Sequence, residues 1–259
     1  MHVLITGSTR GIGFGLAKYF LEAGWKVSIN GRSEVSVDNA LQKLAKDYPA
    51  SSVQGFAGDV VKIEAVEKLW ENAVQGFGAI NIWINNAGVG QDRENVWEID
   101  YPALQKVIEI NLTGVVNGSL IAVRNMLKQG HGQVFNMEGY GSNGMMMKQM
   151  TIYGMTKRAI TYFSQSLALE VADTPLKVGL LSPGMVLTDL LENSIPENQE
   201  EASKTQRIYR ILGDPVDPVA SFLVAKIIAN RKNGTQIKWL TRRKTIFKFI
   251  KSLFSKQSR

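Results

Sequence analysis

Met1-His2-Val3-Leu4-Ile5-Thr6-Gly7-Ser8-Thr9-Arg10-Gly11-Ile12-Gly13 passes from a short apolar run into a glycine cluster, and Phe14-Gly15-Leu16-Ala17-Lys18-Tyr19-Phe20-Leu21 continues it with helical spacing. The stretch reads as a strand, a tight turn and the start of a helix. Glycines at Gly7, Gly11 and Gly13 allow the backbone to turn sharply and to approach a pyrophosphate closely, and the helix start offers unsatisfied N–H groups and a favourable dipole to an anion. Ser8, Thr9, Arg10 and Ile12 then belong to the same phosphate loop. A glycine cluster alone would also serve an ordinary strand-to-helix turn, so its meaning depends on what surrounds it.

Working outward, apolar runs rich in Val and Ile fall at 26–30, 53–57, 80–85, 133–137 and 177–181, with helix-compatible stretches between them. Strands alternating with helices make βαβ units and a parallel sheet. Runs such as Ile80-Asn81-Ile82-Trp83-Ile84 are apolar on both sides, as expected of strands covered by helices on both faces. The expectation is an α/β fold, a single Rossmann-type domain over residues 1–240, with a doubly wound parallel sheet. Residues 187–213 interrupt the rhythm with a polar insertion, expected to act as a lid over the substrate site. Residues 241–259 form a basic amphipathic tail.

The 259 residues include no cysteine, which excludes disulfides, thiolate metal sites and Cys nucleophiles, and no metal is expected. The start runs into a strand without a basic leader or long apolar segment, so the reading is cytoplasmic, with contact at the inner face of a membrane through the tail. The net charge of +7 resembles a nucleic-acid signal until it is located. Residues 236–259 hold eight basic side chains and no acidic ones, leaving 22 bases against 23 acids upstream. The excess belongs to the tail, and no nucleic-acid partner is expected.

Cofactor choice is written at the end of the second strand, where a carboxylate would bind an adenosine ribose and repel a 2'-phosphate. Here the sequence is Ile29-Asn30-Gly31-Arg32-Ser33. No acid is present, and Arg32, with Arg10, offers donors to a phosphate, which favours NADP(H).

Further along come Asn85-Asn86-Ala87-Gly88, Asn111, Tyr153-Gly154-Met155-Thr156-Lys157 and Ser182-Pro183-Gly184. With the glycine loop, this ordered set resembles the short-chain dehydrogenase/reductase superfamily over nearly the whole chain. The resemblance implies Tyr153 as acid/base and Lys157 as the cation that eases its ionisation. It implies Asn111 as support for a water near the lysine, and it puts Tyr153 and Lys157 at the cofactor. It also implies cofactor contacts at Ser33, Asp59, Val60, Asn86, Ala87, Gly88, Pro183, Gly184, Val186 and Thr188. The spacing agrees, since residues four apart share a helical face and a phenol with an ordinary pKa near 10 needs help at neutral pH.

The departure from the family is at the serine. Where relatives carry Ser-Ser after the fifth strand, this chain reads Asn136-Met137-Glu138-Gly139-Tyr140-Gly141-Ser142. Ser142 is the nearest hydroxyl, with Glu138 or Tyr140 as substitutes. The same Glu-Gly-x-Gly-Ser loop, with Asn81-Ile82-Trp83-Ile84 and Ser182-Pro183-Gly184-Met185-Val186-Leu187-Thr188, is similar to the chlorophyll b reductase branch. That similarity implies reduction of a carbonyl on a hydrophobic substrate, such as the 7-formyl group of a chlorophyll b-type pigment. It also implies a homo-oligomer, dimer or tetramer. The alternative is an NADP(H)-binding regulatory or scaffold protein that lost turnover with the serine.

On a helical wheel of the tail, Ile246, Phe247, Phe249, Ile250, Leu253 and Phe254 share one face, with Lys244, Lys248, Lys251 and Lys256 on the other. Such a helix suits an anionic membrane surface or packing on the body of the protein.

Overall fold

The computed structural model describes residues 1–192 and 199–254. Residues 193–198 of the expected lid and 255–259 of the tail, including Lys256 and Arg259, lie outside them, as do the side chains of Leu253 and Phe254.

Seven parallel strands form one sheet in the order β3-β2-β1-β4-β5-β6-β7. They are β1 (His2–Ile5), β2 (Lys26–Gly31), β3 (Val53–Ala57), β4 (Ile82–Asn85), β5 (Gly132–Met137), β6 (Leu176–Ser182) and β7 (Thr235–Lys238). The first six match the apolar runs to within two residues at either end. The seventh, Thr235-Gln236-Ile237-Lys238, carries one apolar residue and has no signal of its own. It exists because β6 offers an edge, with Gly179 opposite Thr235 and Ser182 opposite Lys238.

Helices α1 (Gly11–Glu22), α2 (Glu34–Leu44) and α9 (Val216–Ala229) cover one face, and α3 (Ile63–Phe77), α5 (Gly114–Gln129) and α6 (Thr151–Glu170) cover the other. The strand pleat sorts side chains between the two cores. Val3 and Ile5 join the α1 side and Leu4 the α3 side, while Ile82 and Ile84 oppose Trp83 in the same way. Trp83 is fully buried and stacks on Trp70 of α3 with ring centroids 5.9 Å apart. Truncating such a side chain to Ala costs about 3–5 kcal/mol.

Helix α4 (Tyr101–Ile108) runs into α5 through a π-helical segment, Glu109–Thr113. This continuous stretch, Tyr101–Gln129, is long and apolar enough to cross a membrane, which the sequence reading did not expect. Half of its apolar window is buried inside the fold, where α5 packs on α3, β4 and β5, so it serves as a core helix. The insertion after β6 contains α7 (Asp189–Glu192) and α8 (Gln199–Leu212). Its two ends are joined, since Val186 bridges Asp214, Leu187 N–H donates to the Asp214 carbonyl at 3.0 Å and Asp214 N–H donates to that of Met185 at 2.9 Å. The tail helix α10 (Arg242–Phe254) then packs along α8.

Candidate active site

At the carboxyl end of β1 the loop is held open by side chains bonded to backbone. The Asn86 amide donates to the carbonyls of Thr6 (3.0 Å) and Gly7 (2.8 Å), and the Thr6 hydroxyl accepts from the N–H groups of Asn86 and Ala87. Ser8 Oγ donates to the Ile5 carbonyl at 2.6 Å and accepts from Asn30 N–H at 3.0 Å. Gly7 sits at φ +58°, where a Cβ would lie 2.6 Å from Ala87 Cα. A Cβ at Gly13 would lie 2.4 Å from the Asn86 amide nitrogen and 2.5 Å from the Gly7 carbonyl. Neither position has room for a side chain.

Helix α1 begins with no side-chain cap at Arg10 and no acid in its first turn. Its leading N–H groups are therefore available to an anion. This uncapped start inside a glycine cradle fits the pyrophosphate of a nicotinamide dinucleotide.

The remaining cofactor candidates divide. Arg32 is exposed and has no partner among the described residues. Arg10 instead pairs with Asp189 of α7 at 3.1 Å, both side chains well exposed. Ser33 caps α2, accepting from Ser36 N–H, and Asp59 accepts from Val61 N–H, so each serves its local turn. Val60 is buried, and its carbonyl accepts from Asn117. Gly11 and Thr188 face each other, a Cβ on the glycine falling 3.5 Å from Thr188 Cγ2, so β1 and β6 ends meet across the loop. Val186 is fixed by its bridge to Asp214, beside Pro183 and Gly184.

Tyr153 and Lys157 lie one turn apart on α6, both buried, with the lysine Nζ 5.7 Å from the phenol ring centre. Burial pushes the Tyr153 phenol up to about 12, with Tyr209 on α8 adding to the rise. Burial pushes Lys157 down to about 8, opposed by Glu138. The phenol is protonated at neutral pH and bonds to no group among the described residues, leaving it free for a ligand. Asn111 lies in the π-helical segment and is fully buried. Its amide pairs twice with Val89, donating to the carbonyl at 2.9 Å and accepting from the N–H at 2.8 Å. Asn111 Oδ1 and Lys157 Nζ both approach Gly88, where a Cβ would stand 3.2 and 3.6 Å from them. Thus α4–α5, the loop after β4, and α6 meet at one point.

The serine loop differs from expectation. The Ser142 hydroxyl accepts from Gly139 N–H at 3.1 Å and donates to the Lys157 carbonyl at 3.3 Å, so it braces the loop against α6. It is Gly139 that faces the phenol, where a Cβ would lie 2.5 Å from Tyr153 Oη. Glu138 points the other way. Its carboxylate accepts from Thr161 (3.0 Å) and from Gln236 of β7 (2.8 and 2.7 Å). Tyr140 is half-buried near Arg93, burial raising its phenol and the arginine pulling it down. None of the three proposed hydroxyl or carboxyl substitutes bonds to Tyr153.

Sequence reasoning missed several contributors. Gln91 accepts from Tyr153 N–H at 2.9 Å and donates to the Gln149 carbonyl, tying the loop after β4 to the start of α6. Gln236 lies on the strand that had no signal, and Tyr209 comes from the insertion. Only the insertion was marked in the sequence, by its polarity.

The family model described as short chain dehydrogenase matches residues 1–199. A chloroplastic chlorophyll(ide) b reductase of Oryza sativa subsp. japonica is 36% identical, over 93% of this chain and 71% of its own length. A probable chloroplastic chlorophyll(ide) b reductase of Arabidopsis thaliana is 34% identical over 93% of this chain, which spans half of that relative. Among solved structures, levodione reductase superposes with a TM-score of 0.82 at 23% identity, covering 92% of this chain and 95% of its own. Two more superpose at 0.78. One is a 3-ketoacyl-(acyl-carrier-protein) reductase from Brucella melitensis complexed with NADH, at 22% identity over 94% and 98% of the two chains. The other is ElxO with NADP bound, at 25% over 92% and 96%.

Proposed function

The chain belongs to the short-chain dehydrogenase/reductase family, a family of oxidoreductases that bind a nicotinamide cofactor, and resembles its chlorophyll b reductase branch; on that premise we propose that it is an NADP(H)-dependent reductase of a carbonyl on a hydrophobic substrate. The observation that carries the reading is the protonated Tyr153 phenol, one turn from Lys157 and bonded to no group among the described residues, together with an uncapped glycine cradle. The 7-formyl group of a chlorophyll b-type pigment is the first substrate to test, following the names of the relatives.

The bound nicotinamide supplies the hydride. Tyr153 donates its proton to the carbonyl oxygen as negative charge develops there, and a phenol held protonated by burial is suited to that direction. The Lys157 ammonium favours the resulting tyrosinate. Asn111 fixes the Val89 backbone and supports a water beside the lysine. Arg32, exposed and without a partner among the described residues, is the group to hold a 2'-phosphate. In the loops after β5 and β6, the exposed side chains of Met145, Met146, Met147, Leu187 and Leu190 are the apolar, deformable groups from which a substrate wall would be built, with α7 and α8 as the lid.

Exposed Tyr101, Met155, Tyr162 and Leu169 on α4 and α6 suit contact with a second copy in a dimer or tetramer. The tail helix turns Lys244 and Lys248 toward the body and leaves Ile246, Phe247 and Ile250 exposed beside Arg242, Arg243 and Lys251. That patch suits the inner, anionic face of a membrane bordering the cytoplasm. Sedimentation with phosphatidylglycerol-containing liposomes, lost on deleting residues 242–259, tests it.

The reductase reading is tested by NADPH absorbance across a panel of formyl-chlorophyll derivatives, steroid ketones and long-chain aldehydes, with NADH as control. Turnover is expected, and Tyr153→Phe is expected to lower kcat/KM by about 10²–10⁴. An equally active Tyr153→Phe variant defeats the assignment. Cofactor binding without turnover on any member of the panel favours the regulatory alternative.

A further inference from the structure

Lys157 is a buried ammonium whose Nζ donates to the Met137 carbonyl at 3.4 Å, and among the described residues it has no carboxylate within ion-pair distance. A buried charge without compensation is costly, and the group neutralises unless an opposite charge lies near. The residue following Met137 is Glu138, itself 3% exposed. Its N–H donates to the Leu181 carbonyl at 2.8 Å, extending the β5–β6 ladder by one residue. The backbone is therefore fixed and the carboxylate is aimed inward. Gln236 reaches both carboxylate oxygens from β7, and the Thr161 hydroxyl lies between the carboxylate (3.0 Å) and the Lys157 carbonyl (3.2 Å) on the next turn of α6. A buried carboxylate is thus seated by Gln236 and Thr161, one residue from the oxygen the lysine bonds, and its Thr161 partner also reaches the backbone of the lysine itself.

We propose that Glu138 is a positioning residue for the proton-transfer pair: a buried carboxylate, seated by Gln236 and Thr161, that keeps Lys157 charged and so acts through the lysine on Tyr153. The inference rests on the reading of Tyr153 and Lys157 as that pair. It gives Glu138 a role other than replacing the serine hydroxyl, since Gly139 occupies the place facing the phenol. Titratable groups around the pair come from every side. Glu138 stands at the end of β5, Tyr153 on the same helix, and Tyr209 on α8 near Tyr153. Arg158 turns its guanidinium to the Ser142 carbonyl. Among the described titratable groups, Glu138 is the one that raises the pKa of Lys157.

The sign follows. Burial has drawn Lys157 down to about 8, and removing the carboxylate draws it lower still, so the ammonium is lost at a lower pH. The test is an NMR titration of the protein without substrate, labelled with 13Cε-lysine. The Lys157 resonance is assigned by its disappearance in Lys157→Met. The wild-type midpoint is expected near pH 8. In Glu138→Gln it is expected about one unit lower or more. In Gln236→Met, which loosens the seat but keeps the charge, a smaller fall is expected. An unmoved midpoint in folded Glu138→Gln overturns the proposal, and so does a fall in Gln236→Met larger than that in Glu138→Gln. If Glu138→Gln does not fold, Glu138→Asp withdraws the charge by one methylene and must shift the midpoint downward by part of that amount; no shift there overturns it as well. Because the readout needs no turnover, failure of the reductase reading on the aldehyde panel and failure of this inference are separate results.

Discussion

The two ends of the site are built differently. On the cofactor side, at the carboxyl ends of β1, β2 and β4, buried Thr6, Ser8 and Asn30 and half-buried Asn86 spend their hydrogen bonds on backbone, and two glycines leave no room for a side chain. On the proposed substrate side, after β5 and β6, large apolar side chains stand open to solvent, with Met146 95% exposed. A cradle for a fixed cofactor gains from rigidity, because preorganised donors need no further ordering on binding. A wall that fits a hydrophobic substrate gains from side chains that repack. Gly139 is the exception, a tight spot within the loose half.

The contrast is broken most severely at Gly13. A valine there must displace the Asn86 amide and the Gly7 carbonyl together. Gly13→Val is expected to weaken NADPH binding by at least about 100-fold, measured by quenching of tryptophan fluorescence, because backbone at Gly7 and Ser8 must yield as well as the Asn86 side chain. Affinity within a few-fold of wild type would mean that the cradle is softer than its bonds imply.

Gly139→Ser probes the exception. Restoring the hydroxyl found in relatives puts a Cβ 2.5 Å from the Tyr153 oxygen. It is expected to lower kcat by about tenfold to 100-fold while leaving NADPH affinity and the melting temperature nearly unchanged, since misplacing a proton donor by a fraction of an ångström costs that much. A faster enzyme would place the serine loop with the adaptable walls.

The same division explains what could be read in the sequence. The cofactor half is local: strand, glycines and helix are contiguous, and their spacing is dictated by backbone geometry, so β1, the turn and α1 were legible from residues 1–21. Tyr153 and Lys157 were legible because one helical turn joins them. Glu138, Gln236 and Thr161 meet from β5, β7 and α6, separated by 98 and 23 residues from the carboxylate they seat, and no periodicity links them. β7 was illegible for the same reason, its stability lying in its neighbour's edge and not in its own four residues. Ser142 is the nearest hydroxyl along the chain, but chain distance cannot say that its oxygen is engaged by Gly139 N–H and the Lys157 carbonyl.

Arg32→Ala is expected to reduce the preference for NADPH over NADH, as a ratio of kcat/KM, by about tenfold, the loss of one charge-assisted contact to a phosphate. Arg10→Ala is expected to do less, since that guanidinium is already paired with Asp189, and an exposed pair of this kind contributes little to stability. The two variants thus sharpen the boundary of the rigid half. An effect of Arg10 exceeding that of Arg32 would move the phosphate site toward α7 and the lid.

The smallest effect is expected where the loose half is fastened. Lys248 of α10 bonds Asp214 at 2.6 Å and the Leu212 carbonyl at 3.1 Å, both charged side chains mostly buried. Asp214 also accepts from Trp239 Nε1 at 2.7 Å, at the base where the insertion after β6 leaves and rejoins the body. Lys248→Met removes the cation that Asp214 bonds and leaves the carboxylate with the indole and the field of Lys244, an expected loss of about 1–3 kcal/mol. For a chain of this size that lowers the melting temperature by a few degrees. Asp214→Asn with Lys248→Met should recover part of the loss, because the stranded charge disappears with its partner. NADPH affinity should stay at the wild-type value throughout, as none of these groups bonds to the cradle. If calorimetry finds the drop in melting temperature and titration finds NADPH affinity falling with it, the lid's fastening and the cofactor cradle are one cooperative unit, and the contrast between rigid and adaptable halves does not hold.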